Sequence, residues 1–380
     1  MLRFTPPLGR LLGALALLVA LGCSDDAQPS GSPDAGDAGA DAPADTAPSD
    51  ASDASLPDAA TPDAADVATD DAPDAATRAP LTVVTFNTGS GPELAHDAAP
   101  DDGYTSVEAE LTDAWYGNGL AWRPFIEATR QFFATLEADV VVFQEIFWPG
   151  ECPGIPAEAQ AGFVCEGWGE GDPTVAELLL GEGYQVMCHP GKPDKCAAVR
   201  RGAGRFRGCD GDLCLEGMEG APVPGCGSGA RVARAVIELE AGGELTLVNV
   251  HGTSGLSDDE ADCRVRQVEQ VFVDMGDGEP AVGEGATLIM GDLNTDPGRF
   301  AGADPSADRW LDFVGEGARF HFVSDVGEDA APSYAGLFNI DHVMADELEG
   351  ACWIAGVTSE RPPVMEAVFF DHKPVVCVVE

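Results

Sequence analysis

Positive charge is what this chain has least of: 20 lysines and arginines stand against 66 aspartates and glutamates, a net of −46. Proteins that grip long nucleic acids without sequence preference use basic surface and counterion release, so this balance counts against a polyanion-tracking protein. It does not exclude a nuclease, because a bound divalent cation and a local basic rim can reverse the sign at one site. No two of the 11 cysteines stand in CxxC spacing, which weighs against a thiolate zinc site. Ser254-Gly255 does not form a GxSxG elbow, which disfavours a serine hydrolase. No aromatic residue occurs between Ser24 and Pro80. Neither an internal repeat nor an EF-hand spacing is present.

The apolar run LLGALALLVAL at 11–21 follows Arg3 and Arg10 and is short of the roughly 20 residues a spanning helix needs. It reads as an export leader over 1–22. Ala20-Leu21-Gly22-Cys23 resembles a bacterial lipobox, with alanine where leucine is commonest, and implies a lipidated Cys23 that anchors the protein to a membrane without spanning it. The expected place is therefore the bacterial cell envelope, either outer membrane and periplasm or the cell surface. From residue 24 to 80 the chain is almost wholly Asp, Ala, Pro, Ser and Thr, with 14 aspartates and the single Arg78. Such a segment cannot bury enough apolar surface to offset the entropy of ordering it, so 23–80 is expected to be an extended, self-repelling tether.

Residues 81–380 suffice for one large domain and carry 52 acidic and 17 basic residues, a net of −35. Eight of those bases fall between Lys192 and Arg234 with five acids among them. One reading of that stretch is a phosphate or lipid-headgroup contact surface; the other is solvated charge on a Gly-rich excursion. Setting Cys23 aside leaves ten cysteines, an even number that suits a disulfide framework in an exported chain. Cys209/Cys214 could close a small loop, Cys188/Cys196 could flank a hairpin, Cys152/Cys165 could staple the loop after Glu145, and Cys352/Cys377 could link the last strands. Cys226 and Cys263 would remain.

Strand patterns lie at 81–86, 139–143, 184–188, 196–200, 232–239, 245–250, 286–290, 320–324, 338–344 and 374–379, and helical patterns at 122–137, 173–181 and 258–275. Acidic, amide and imidazole residues stand just past several apolar runs: LTVVTFNTG (81–89), DVVVFQEIF (139–147), LTLVNVHGTS (245–254), TLIMGDLNTD (287–296), FNIDHVMA (338–345) and FFDHKPVVCVV (369–379). Groups gathered at strand ends from across a chain are how an α/β protein builds a site.

Asn87, Gln144-Glu145, His251, Gly291-Asp292-Leu293-Asn294, Ile340-Asp341-His342 and Asp371-His372-Lys373-Pro374 together resemble, in order and spacing, the endonuclease/exonuclease/phosphatase superfamily. The resemblance spans 81–380. It implies an α/β fold of two packed mixed β-sheets flanked by helices, a four-layer sandwich, and a metal-dependent phosphoesterase. By the same resemblance Glu145, Asn87 and Asp371 hold Mg²⁺ or Mn²⁺. His372, steadied by Asp341, contacts the scissile phosphate or acts as base. Asp292 orients or deprotonates the attacking water, Asn294 holds the water or the phosphate, and His251 donates to a phosphate oxygen or to the leaving group. His96, His189, His321 and His342 read as structural, with His342 facing away from the site.

Nuclease or general phosphodiesterase is the leading reading. Sphingomyelinase or phospholipase C-like and inositol-phosphate phosphatase activities are alternatives, and a non-catalytic binding module of the same fold is a further one. The expected partners are a phosphoester substrate, nucleic acid or phospholipid headgroup, and the membrane; no protein partner is implied. Phe369-Phe370 and Trp148-Pro149, the tight hydrophobic pairs, are expected in the core.

Overall fold

The computed structural model describes residues 79–90, 106–364 and 370–380. The leader at 1–22, Cys23, the tether up to Arg78, His96 and Phe369 lie outside the described residues. Among the described residues no helix is long and apolar enough to cross a membrane.

The first strands are β1 (Leu81–Asn87), β2 (Val140–Gln144), β3 (Tyr184–Cys188), β4 (Cys196–Arg200), β5 (Gly204–Phe206), β6 (Leu213–Cys214) and β7 (Val232–Leu239). After them come β8 (Glu244–His251), β9 (Thr287–Asp292), β10 (His321–Phe322), β11 (Asp341–Ala345), β12 (Gly350–Ile354) and β13 (Val375–Val379). They form two mixed sheets, one in the order β12-β13-β1-β2-β4-β3-β6 and the other β10-β11-β9-β8-β7-β5. Helices Arg123–Leu136 and Val175–Leu180 carry apolar residues into the core on the outer face of the first sheet, and Asp258–Phe272 and Pro305–Phe313 do so for the second. This is the four-layer α/β sandwich.

Period-two alternation decides what each strand buries, and where. On β1, Leu81 and Val83 enter the layer between the sheets while Val84 and Phe86 pack under the helices. On β2, Val140 and Val142 face inward and Val141 and Phe143 outward. The second sheet answers with Leu245 and Leu247 of β8 and Leu288 and Met290 of β9 inward, and Val248, Val250 and Ile289 outward. Each such fully buried side chain contributes about 1.5–3 kcal/mol of hydrophobic stabilisation. A polar peg crosses this apolar layer: Gln144 Nε2 donates to Asn249 Oδ1 at 2.8 Å, and both residues are wholly buried.

The ten domain cysteines form the four pairs that sequence reading offered, Cys152–Cys165, Cys188–Cys196, Cys209–Cys214 and Cys352–Cys377, and the two that remained join as Cys226–Cys263. Several elements differ from their sequence patterns. The pattern at 338–344 becomes strand only from Asp341, because Phe338 pairs back on Tyr334 through N–H to O bonds of 2.9 and 3.2 Å. The pattern at 258–275 stops as helix at Phe272, where the Asp274 side chain takes the N–H groups of Gly276 and Gly278 into a turn. Phe370 is in the core against Phe86, ring centroids 5.1 Å apart, and Pro149 is buried while Trp148 is half-buried.

Candidate active site

The same alternation that fills the core delivers the polar residues. Asn87 continues the inward set of β1, His251 that of β8 and Asp292 that of β9. Strand register then sets them side by side: His251 pairs with Asp292, and Asp292 with Asp341, so three of them form one row across β8, β9 and β11. Asn87 pairs with Gln144 on the facing sheet. Glu145 would point outward by parity, but its backbone is left-handed, with φ of 56°, and its carboxylate turns into the site. Asn294 is the second such residue here, with φ of 50°. Non-glycine residues held in this region carry strain and concentrate at functional sites.

The eight sequence-assigned residues converge. Asn87 Nδ2 donates to Glu145 Oε1 at 3.1 Å and to Asp292 Oδ2 at 3.0 Å, while its Oδ1 accepts the Gly89 N–H at 2.9 Å. Asp292 also accepts from Asn294, at 2.7 Å from the backbone N–H and 2.9 Å from the side chain. His251 Nε2 stands 3.3 Å from Glu145 and 3.9 Å from Asp292, and its Nδ1 is buried without a hydrogen-bond partner among the described residues. Asp341 Oδ2 meets His372 Nδ1 at 2.8 Å, and His372 Nε2 then faces Asp292 at 3.8 Å and Asp371 at 4.0 Å. His342 points to the other side of its strand, bonded through Nδ1 to Ser324 and through Nε2 to the Asn339 carbonyl.

Electrostatics follow from burial and crowding. Burial pushes the Asp371 carboxyl up to about 7; His372 opposes the shift, and Glu145 and Asp292 add to it. Burial likewise lifts Asp292 to about 6, with His372 pulling down and Asp341 up. Burial would depress the His372 imidazole, but Asp341, Asp292 and Asp371 together hold it well above the ordinary histidine value. Acids raised first by burial and further by neighbouring acids gain from a cation between them, and oxygen donors with no thiolate suit Mg²⁺ or Mn²⁺. Asp292, Asp341 and His372 each offer a ligand atom within 4.8 Å of the others. Two of these residues, however, are hydrogen-bonded to each other, Asp341 Oδ2 to His372 Nδ1, so the trio reads better as an acid–base unit. Glu145 and Asp371 also line the cleft, and the Asn87 amide NH₂ faces the carboxylates of Glu145 and Asp292.

Several contributors gave no sequence signal. Asn118 is buried; its Nδ2 donates to the Glu145 carbonyl and to Thr88 Oγ1, and so fixes the left-handed turn. Ser333 Oγ accepts the N–H groups of Ile340 and Asp341, each at 3.1 Å. The Tyr334 ring lies 4.7 Å from the His372 ring. Thr253 turns away from the cleft to Gln267, and Ser254 lines it.

The basic 192–234 stretch is not a free cationic surface. Lys192 and Lys195 pair with Asp194, Arg200 with Asp139, Arg201 with Asp212, Arg205 with Glu238, Arg207 with Glu244, and Arg234 with Glu219 and Asp277. Arg231 is buried.

No protein-family model and no curated protein sequence matches the chain. Solved structures do. A D. rerio TDP2 humanized by 14 mutations is 13% identical, with TM-score 0.47, covering 79% of this chain and 99% of its own. The human nocturnin catalytic domain with bound sulfate is 11% identical, with TM-score 0.43, covering 79% and 93%. An endonuclease/exonuclease/phosphatase from Beutenbergia cavernae is 16% identical, with TM-score 0.46, covering 80% and 72%. In its layered fold, and in the order in which its strand ends deliver these side chains, the chain resembles the endonuclease/exonuclease/phosphatase superfamily.

Proposed function

We propose that the 81–380 domain is a metal-dependent phosphodiesterase. The observation that carries this reading is the convergence, from two sheets, of a carboxylate-oriented imidazole and a buried acid cluster in one cleft. Glu145 and Asp371, with Asn87 beside them, would hold a divalent cation, which supplies charge neutralisation at the phosphoryl oxygens. With a pKa near neutrality, Asp292 is suited to take the proton of the attacking water, and Asn294 holds the Asp292 carboxylate in place. The carboxylates around His372 keep its imidazole protonated, so Nε2–H serves a non-bridging phosphate oxygen better than it serves as base. His251 donates to the leaving oxygen. As water attacks phosphorus, the P–O bond to the leaving group breaks, one proton passes to Asp292 and another leaves His251.

In this reading the leader, Cys23 and the tether carry the domain at the bacterial cell envelope, anchored by lipid. Five disulfides in one domain support an oxidising compartment. The test is hydrolysis of plasmid DNA, sphingomyelin and bis(p-nitrophenyl) phosphate, with Mg²⁺, Mn²⁺ or EDTA. Cleavage of at least one substrate that EDTA stops and Glu145→Gln abolishes is expected. A folded, metal-loaded protein inert on all three would mean a binding module.

A further inference from the structure

Beside the acid cluster the cleft changes character. Its far wall is Leu256, Phe300, Tyr334, Phe338 and Ile340, and among the described residues no lysine or arginine lines it. Leu256 is 53% exposed and the two phenylalanines are half-buried, so the wall presents apolar surface to whatever occupies the cleft. The Phe300 and Phe338 rings stand 5.2 Å apart, tilted by 41°, and Tyr334 continues the wall onto the His372 ring. This surface is built. Arg299 Nη1 donates to the Leu337 carbonyl and Nη2 to the Ala330 carbonyl, each at 2.8 Å, while Asp296 takes a third bond at 3.0 Å. Arg299 is thereby spent on fixing the wall, as is Arg264, which donates to the Gly255 carbonyl at 2.8 Å and pairs with Asp304.

We propose that this wall is a ring-binding subsite for the group that phosphorus retains, and that the site selects phosphodiesters in which that group is a planar, uncharged ring. The proposal rests on the phosphodiesterase reading above and adds its substrate class. A polyanion needs cations along its track, and the wall has none, the basic 192–234 stretch is already paired, and the domain is strongly acidic. A single ring needs only a π face or an apolar surface to stack on. The ring belongs either to a small aryl or nucleoside ester or to a base of single-stranded nucleic acid.

The test uses the full chain with Mg²⁺ and two diesters that share a leaving group, bis(p-nitrophenyl) phosphate and ethyl p-nitrophenyl phosphate. The aryl diester should show the lower KM, by about tenfold, the order expected for one stacking contact. Phe338→Ala should collapse that KM ratio toward one. Phe338→Leu, which keeps an apolar side chain there, should fall between, and melting curves establish that both variants are folded. Equal KM values for the two diesters, unmoved by Phe338→Ala, would overturn the subsite while leaving the phosphodiesterase reading intact. Hydrolysis of neither diester, nor of DNA or lipid, would overturn both. Inhibition by thymidine 5′-monophosphate stronger than by an oligothymidylate assigns the ring to a small ester, and the reverse order assigns it to single-stranded nucleic acid.

Discussion

Asp341 Oδ2 and His372 Nδ1 meet at 2.8 Å although one begins β11 in the six-stranded sheet and the other lies just before β13 in the seven-stranded sheet. The pair is therefore a clasp between layers as well as a setting for one imidazole. Asp341→Asn keeps the volume and removes the charge that most raises His372. We expect kcat to fall by about 10²-fold. The basic limb of the kcat/KM profile, where the imidazolium is lost, should move to lower pH, and a pH–rate series on the two proteins measures both effects.

The metal-free domain should lose stability as pH rises. Asp371 and Asp292 have folded-state values raised from 3.8 to about 7 and about 6, so the folded state holds protons that the unfolded chain has released. Their contribution is most favourable near pH 4 and is lost as pH climbs to about 7. His372 is raised as well, so its contribution is full below the ordinary histidine value and is lost as pH climbs through its raised folded value, in the same direction but beyond the carboxylate window. Melting temperature in EDTA should decline across that window, and Mg²⁺ should restore most at its alkaline end.

Gly89 sits where a side chain cannot. A Cβ there would lie 2.4 Å from Glu145 Oε2. Since the obstruction is the end of a side chain, Gly89→Ala should fold but displace the Glu145 carboxylate. Misplacement by an ångström can cost about 10²-fold in rate. Activity and the melting shift on adding Mg²⁺ should fall together, with circular dichroism unchanged.

Cys226–Cys263 closes a separation of 37 residues and ties the end of the Gly-rich excursion to helix Asp258–Phe272. The double change Cys226→Ser with Cys263→Ser should cost about 2–4 kcal/mol. Urea unfolding measures it, the midpoint falling without a large change in slope.

The site was legible because its residues obey the rule that fills the core. Asn87, His251, Asp292 and Asp341 each extend an inward-facing, period-two set by one step, so a reader of alternation reaches them. Short-range cysteine spacing was legible for a similar reason, since hairpin and small-loop closures are local. Phe300, Tyr334 and Phe338 were not, because a single-turn helix and the Tyr334–Phe338 turn carry no readable period and their meeting depends on Arg299 reaching across to distant carbonyls. The basic stretch left two readings open because composition counts charges without their partners, and several acids that neutralise it, such as Asp139, Glu238 and Glu244, come from other strands or strand ends. Helix Pro305–Phe313 had a readable start in Asp304-Pro305, an N-cap followed by proline, and the strand and helix patterns nonetheless passed it over.

Asn87 and Glu145 ride on one sheet and His251, Asp292 and Asp341 on the other, and behind them the two sheets are held apart by an apolar filling crossed by the Gln144–Asn249 peg. The cleft thus works as a caliper, its jaw opening set by the thickness of the filling. A methyl added or removed at Val83, Val142, Leu247 or Met290, all buried between the sheets, should shift the jaw opening, and so turnover, as well as cost stability. Variation in that layer is a dial on rate, available to selection without altering one reacting group.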